Sequence, residues 1–170
     1  MNTVALFLSL ALIPSQETGA GAKPPQGGAK AASDEHQHQV NENGDKAMGF
    51  SHQKTTHHFI LQTQGGAIQV DAKSKADKES RDQIQNHLGH IARMFADGDF
   101  NTPMLVHSVM PPGTATMTKL KADIKYTYEA SATGGRVVIS TSNKEALAAI
   151  HEFLRFQIKD HATGDPLSVR

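Results

Sequence analysis

The chain of 170 residues contains no cysteine and no tryptophan. Without cysteine it has no disulfide framework, no thiolate metal ligand and no thiol nucleophile. Its ten histidines and six methionines are therefore the only soft or borderline metal ligands that the sequence offers. Strong charge is also lacking, because the formal net charge is zero. This argues against a nucleic-acid partner held by a basic field, so we expect none.

Long apolar runs are absent apart from Thr3–Ile13, which is too short to span a bilayer. Its length is that of a signal-peptide core, and the small residues of Gly19–Ala22 follow it. We predict that residues 1–22 are a signal peptide, although a short membrane anchor or a misplaced start is the alternative. The protein is then periplasmic or secreted, and the mature chain has no integral membrane segment.

The stretch that follows has few large apolar side chains. Residues 23–46 are rich in Gly, Ala, Gln, Lys, Pro and Asp. Such a segment buries too little apolar surface to offset the entropy lost on ordering, and this predicts a disordered linker. His36 and His38 lie in it, and we interpret them as part of the linker rather than as a metal site. A single domain is expected over residues 47–170.

The clearest helical pattern in that domain covers residues 81–95. Its apolar residues recur at helical spacing: Ile84, Leu88, Ile91 and Phe95. We predict an amphipathic helix that is capped near Ser80 and ends at Gly98. His87, His90 and Met94 lie on one flank of its apolar stripe.

Two hairpins with Gly-Gly turns are predicted on either side of this helix. Residues 55–63 and 67–71 form the first, and residues 124–130 and 136–141 form the second. A helix over residues 144–161, capped by Asn143, follows the second hairpin. The two Gly-Gly pairs are 69 residues apart. We interpret the halves, about 55–97 and 124–162, as a duplicated β-β-α unit.

This order of elements predicts an α+β fold. Its core is a four-stranded antiparallel sheet with two long helices on one face. Met104–Val109 is a candidate for a fifth short strand, and residues 114–121 for a short helix. The other sheet face is predicted to carry a semi-apolar set of side chains: His58, Ile60, Thr127 and Val138. That face is either solvated or the interface of a homodimer.

Histidines provide the best candidate site. Strand alternation places His57 on the inward parity with Phe59 and Leu61, beneath the first long helix. His57, His87, His90 and Met94 are therefore predicted metal ligands, with His107 as an addition. Imidazole with thioether suits copper, and imidazole with carboxylate suits zinc. The competing interpretation is that His87 is a half-buried core residue and His90 a surface residue.

The second long helix carries another set of ionisable residues. His151 and His161 lie on or near its core face, flanked by Glu152 and Asp160. A histidine beside a carboxylate is able to act as a general acid or base. The sequence shows no nucleophile or oxyanion donor to accompany them, so a structural role is favoured. We assign no catalytic residue and do not favour an enzyme.

A string of motifs resembles a family of small, often exported bacterial proteins that are commonly labelled aspartate carbamoyltransferase. It covers roughly residues 46–168 and includes Met48-Gly-Phe50, Thr55-Thr-His-His-Phe59, Gly65-Gly-Ala-Ile-Gln-Val70, His87-Leu-Gly-His90, Pro111-Pro-Gly113 and Gly134-Gly-Arg-Val137. The resemblance implies export. The Ser-Thr-Arg-Thr loop that binds carbamoyl phosphate in true transcarbamoylases is absent, so that activity is not implied. We therefore expect an exported domain that binds copper, zinc or a small ligand through histidines, and the alternative is a non-catalytic homodimeric module.

Overall fold

The computed structural model describes residues 27–170, so the predicted signal peptide lies outside the described residues. The helices are α1 (Gly27–Met48), α2 (Lys78–Ala96), α3 (Asn101–His107), α4 (Thr114–Lys119) and α5 (Lys144–Asp160), and a 3₁₀ turn covers Lys121–Asp123. The strands are β1 (Thr55–Gln62), β2 (Gly65–Ala72), β3 (Ile124–Ala130) and β4 (Gly134–Thr141). The predicted α+β class is confirmed.

The four strands form one antiparallel sheet in the order β1-β2-β4-β3. Both predicted hairpins are present, but the predicted Gly-Gly turns are wrong, because the glycine pairs begin β2 and β4 and the chain reverses at residues 63–64 and 131–133. The two second strands pair with each other at the centre. Phe59 lies opposite Ile68, which in turn lies opposite Val137 on β4. Because partners in an antiparallel register share a face, these residues and His57 lie on one side of the sheet, as the alternation predicted. The buried core lies on this side.

Both long helices contact the apolar side of the sheet. A Cβ built on Gly66 would lie 2.3 Å from the Leu154 side chain of α5, so the helix approaches the strand where no side chain intervenes. The same construction on Gly89 of α2 places the Tyr128 ring 3.9 Å away. These contacts are consistent with two helices on one face and with a duplicated β-β-α unit. Asp77 caps α2, one turn before the predicted Ser80, and Asn143 caps α5 as predicted.

The predicted disordered linker is wrong from residue 27 onward, because the chain is helical there. Val40 and Gly44 are buried one turn apart on α1, and Met48 packs against the core a turn later. This stripe is only one residue wide, which is too little to give a detectable apolar period. Contact with the rest of the fold stabilises the helix, as when Asn43 donates from Nδ2 to the Val106 carbonyl at 3.3 Å.

The predicted fifth strand is also wrong, because Met104–Val109 overlaps helix α3. Pro103 stands in the first turn of this helix, where its missing N–H has no intrahelical partner to lose. Asp99 accepts from the backbone N–H of Asn101 at 2.8 Å and fixes the start. A short apolar run fits either a strand or a helix, and here packing decides in favour of the helix. The short helix predicted after it is present as α4.

The C-terminal segment runs along the outer edge of β1. The Phe59 N–H donates to Asp165 Oδ2 at 3.0 Å, and the Arg170 N–H donates to the Leu61 carbonyl at 3.1 Å. These bonds satisfy backbone groups that an edge strand would otherwise present to water or to another chain.

Candidate functional site

Four histidines from four different elements surround one cavity in the core. His57 comes from β1, His87 from α2, His107 from α3, and His161 directly follows α5. The cavity has a volume of about 60 Å³ and is otherwise walled mainly by apolar side chains, including Phe59, Val70, Leu88, Ile91 and Phe95. We call it the histidine cavity.

Aromatic packing holds three of these rings. The His57 and His161 rings lie parallel, with centroids 5.8 Å apart and an interplanar angle of 2°. The Phe50 ring also stacks on His57, with the two ring centroids 5.9 Å apart. His87 meets the same Phe50 ring edge-on at 5.6 Å. Contacts with aromatic neighbours therefore hold these rings in place.

Burial keeps three of these imidazoles neutral at pH 7. Desolvation, reinforced by the nearby charge of His87, lowers the pKa of His57 from 6.5 to about 4. Desolvation and the charge of His90 lower the pKa of His87 to about 4. Desolvation and the charge of His107 lower the pKa of His161 to about 3. The expected inward orientation of His57 and His87 is confirmed, and each neutral ring retains one nitrogen lone pair.

His107 differs from these three histidines, because both its ring nitrogens have hydrogen-bond partners. Nδ1 lies 2.5 Å from Asp160 Oδ2, and Nε2 lies 2.9 Å from Gln157 Oε1. Burial raises the pKa of Asp160, but hydrogen bonds from His36 and His107 outweigh it and hold that pKa below its ordinary value. His107 is thus anchored by its neighbours.

Two buried polar atoms beside the cavity have no hydrogen-bond partner within residues 27–170. They are Nε2 of His57 and Nε2 of Gln157, and both residues line the cavity. An unpaired buried polar group costs about 1–3 kcal/mol, so buried polar groups normally have partners. A water or a polar ligand in the histidine cavity is the simplest partner for these two atoms.

The predicted metal ligands divide into two sets. His57, His87 and His107 do line the histidine cavity, whereas His90 and Met94 do not. His90 is exposed on α2, and the Met94 sulfur accepts a weak hydrogen bond from Thr102 Oγ1 at 3.7 Å. In the part of the chain that the structure describes, no three His, Cys, Asp or Glu side chains are already arranged around a metal position.

Sequence reasoning found His161 but did not join it to this site. It follows α5, far along the chain from the other cavity histidines, and was grouped with His151 instead. The structure separates the two: His151 Nε2 lies 2.9 Å from the carbonyls of Gln62 and Gly65, and so ties α5 to the turn between β1 and β2. Asp160 pairs with His107 rather than with His161.

A wider and more polar cleft of about 280 Å³ adjoins the histidine cavity. Met48, His57 and His161 line both spaces and separate them. Two further histidines line the cleft, and each is held by a carboxylate: His52 Nδ1 lies 3.0 Å from Asp45, and His58 Nδ1 lies 3.1 Å from Asp165.

Comparison with family models, with curated proteins and with solved structures finds no match for this chain. Within residues 27–170, none of the helices combines the length and the apolar character needed to cross a membrane. The assignment of a function therefore rests on the geometry and chemistry of the histidine cavity.

Proposed function

We propose that the domain binds a zinc or copper ion in the histidine cavity, with His57, His87 and His161 as the ligands. One observation supports this most strongly: three neutral imidazoles, from β1, α2 and the residue after α5, line one small volume. Histidine binds metals through the neutral ring, and a ligand that is already deprotonated loses no proton on binding. The depressed pKa values of the three residues meet this condition at pH 7.

The size of the cavity favours an ion over an organic ligand. A volume of about 60 Å³ corresponds to roughly two waters, whereas a cavity that takes up benzene measures about 150 Å³. An ion with one bound water fits the smaller volume. The donor type selects the metal, because imidazole suits zinc and copper and the cavity offers none of the carboxylates that calcium and magnesium require.

Binding requires the imidazoles to turn. The parallel rings of His57 and His161 present their faces to each other, so their nitrogens converge on one point only after rotation about the side-chain bonds. The unpaired Nε2 of His57 is free to do so without breaking a hydrogen bond. His107 is excluded as a ligand while Asp160 and Gln157 hold both its nitrogens. It serves instead to position the end of α5.

Calorimetric titration with zinc and with copper(II), on protein purified without a histidine tag, tests the proposal. We expect one equivalent to bind, and we expect the joint change His57→Gln and His87→Gln to abolish it. His90→Gln is the matched control, because His90 lies on the same helix but is exposed. If wild type binds neither metal, or if the His90 variant loses binding as fully as the double variant, the cavity is not the metal site.

Export accompanies this function as part of the proposal. It is supported by the Thr3–Ile13 run and the small residues after it, together with the resemblance to exported proteins. A periplasmic or secreted location would also suit a domain without cysteine, since no thiol needs protection from oxidation. The predicted homodimer through the outer sheet face stays a separate proposal and does not depend on the metal.

A further inference from the structure

The two edges of the sheet differ in whether another segment covers them. The β1 edge is covered by the C-terminal segment, which bonds to Phe59 and Leu61. The β3 edge has no such cover, because within residues 27–170 no hydrogen bond beyond those to β4 reaches the backbone of Tyr126 or Tyr128. An edge strand with free N–H and C=O groups is a template for pairing with another chain.

The register of the sheet identifies which groups are free. The Thr141 N–H donates to the Gln64 carbonyl, so the backbone groups of Thr141 are directed away from β3. Thr141 lies opposite Ile124, and backbone direction alternates along an antiparallel pair. The outward-directed residues of β3 are therefore Ile124, Tyr126, Tyr128 and Ala130.

The sequence of β3 suits a symmetric antiparallel pair with β3 of a second copy, centred on Thr127. In an antiparallel pair centred there, Tyr126 lies opposite Tyr128 of a second copy, and both present outward N–H and C=O groups to exchange. Lys125 then lies opposite Glu129 of the second copy, on the outer face where both side chains are exposed. Directly opposite residues have Cβ atoms about 4.5–5.5 Å apart, within reach of an ion pair.

We infer that β3 pairs antiparallel with β3 of a second copy, centred on Thr127, and so joins two sheets into one continuous sheet with twofold symmetry. Opposite charges face each other in this register, and charge disfavours two of the alternatives. A pair centred on Lys125 or on Glu129 would place like charges opposite each other, and this is destabilising. Glu129 also accepts from Arg136 at 2.7 Å on the same face, so the second copy's lysine completes a cluster of two cations around each carboxylate.

This interface differs from a dimer through the outer sheet face, because it uses backbone groups of one edge. It is also independent of the proposed metal site, which lies on the inner side of the sheet. Metal titration of each variant below is expected to match wild type, so failure of one proposal is distinguishable from failure of the other.

Sedimentation velocity of the full chain, from micromolar to millimolar concentration, tests the inference. We expect a dimer whose dissociation constant rises about tenfold on Lys125→Glu, because two attractive pairs per dimer become repulsive. The double change Lys125→Glu with Glu129→Lys restores opposite charges and is expected to restore dimerisation. An equimolar mixture of the Lys125→Glu and Glu129→Lys variants is expected to dimerise more strongly than either variant alone.

Ile60→Lys supplies the control, because Ile60 lies on the outer face of β1 at the other side of the sheet. It should leave an edge-paired dimer intact and disrupt a face-packed one. Circular dichroism of each variant confirms that the fold is retained. A monomer at every concentration overturns the inference. So does a dimer that ignores the charge changes but is lost on Ile60→Lys.

Discussion

The ring of His57 lies parallel to the ring of His161 at a centroid distance of 5.8 Å, although the two residues come from the first strand and from the end of the last helix. Phe59 stacks on His161 as well, with centroids 5.4 Å apart. The contact joins the C-terminal end of the domain to its sheet through two uncharged imidazoles. Protonation of either ring would place a charge among aromatic side chains, and this gives the domain a dependence on pH.

We predict that stability falls as the pH drops from 6.5 towards 4. The folded pKa values of His57 and His87 lie near 4, below the unfolded value of 6.5, so the unfolded chain binds more protons in this range. By linkage, the free energy of unfolding then decreases with falling pH and levels off below the folded values. The loss is about 2 kcal/mol per residue at pH 5.

Thermal melts at pH 7.5 and pH 5 measure this effect. The double variant His57→Gln with His87→Gln keeps polar side chains of similar reach but removes both titrating groups. Its melting temperature is expected to fall less between the two pH values than that of wild type. Parallel falls would contradict the burial of these histidines.

Asp160 is predicted to be a stabilising anchor. It accepts from His36 on α1 at 2.9 Å and from His107 on α3, and so links two helices to the end of α5. Asp160→Asn removes the charge while it keeps the size, and we expect a loss of about 1.5–3 kcal/mol, as for hydrogen bonds to charged groups. Asp82→Asn is the comparison, because Asp82 pairs with Arg81 in an exposed position. Urea unfolding at pH 7 should show a loss below about 1 kcal/mol for that variant; equal losses would refute the anchor.

Gly113 is predicted to tolerate no side chain, for reasons of space as well as conformation. Its φ is +84°, and a Cβ there would lie 2.2 Å from the Ala149 carbonyl oxygen of α5. Gly49 has a similar φ of +79° but nothing within 4 Å. Gly49→Ala should therefore cost only the left-handed conformation, roughly 1–2 kcal/mol. Gly113→Ala should cost clearly more in denaturant unfolding, and equal costs would show that the backbone yields at this contact.

Export predicts a specific mature N-terminus. If residues 1–22 are a signal peptide, the protein recovered from the periplasm or medium should begin close to Gly19–Ala22. Edman sequencing or intact mass determines this directly. Replacing Leu8 by Arg within the apolar run should retain the uncleaved chain inside the cell. Recovery of the full-length chain outside the cell would rule out cleavage.

The local residue pattern predicted those helices and strands that show a clear apolar period or a glycine signal within a short stretch of chain. The stripe from Ile84 to Phe95 is four buried residues at helical spacing, and α2 lies there. Alternation in β1 placed His57 inward and His58 outward, as the structure has them. Glycine pairs marked both hairpins, but they begin β2 and β4 and do not form the turns. Space explains them there, because a Cβ on Gly65 would lie 2.0 Å from the Ile139 carbonyl oxygen and one on Gly134 would lie 2.1 Å from the Val70 carbonyl oxygen. Each of these features is set by residues that are close together along the chain, so the local sequence is sufficient to predict it.

The sequence by itself thus determined the α+β class, both hairpins, the two long helices and the partial burial of His57 and His87. Only the tertiary structure decided that α1 and α3 are helical, because each is stabilised by contacts with other elements rather than by its own pattern. It also decided which histidines meet: His107 and His161 enter the cavity, while His90 is turned to solvent. A site formed by four elements depends on how they pack together, and no spacing within the chain records that arrangement.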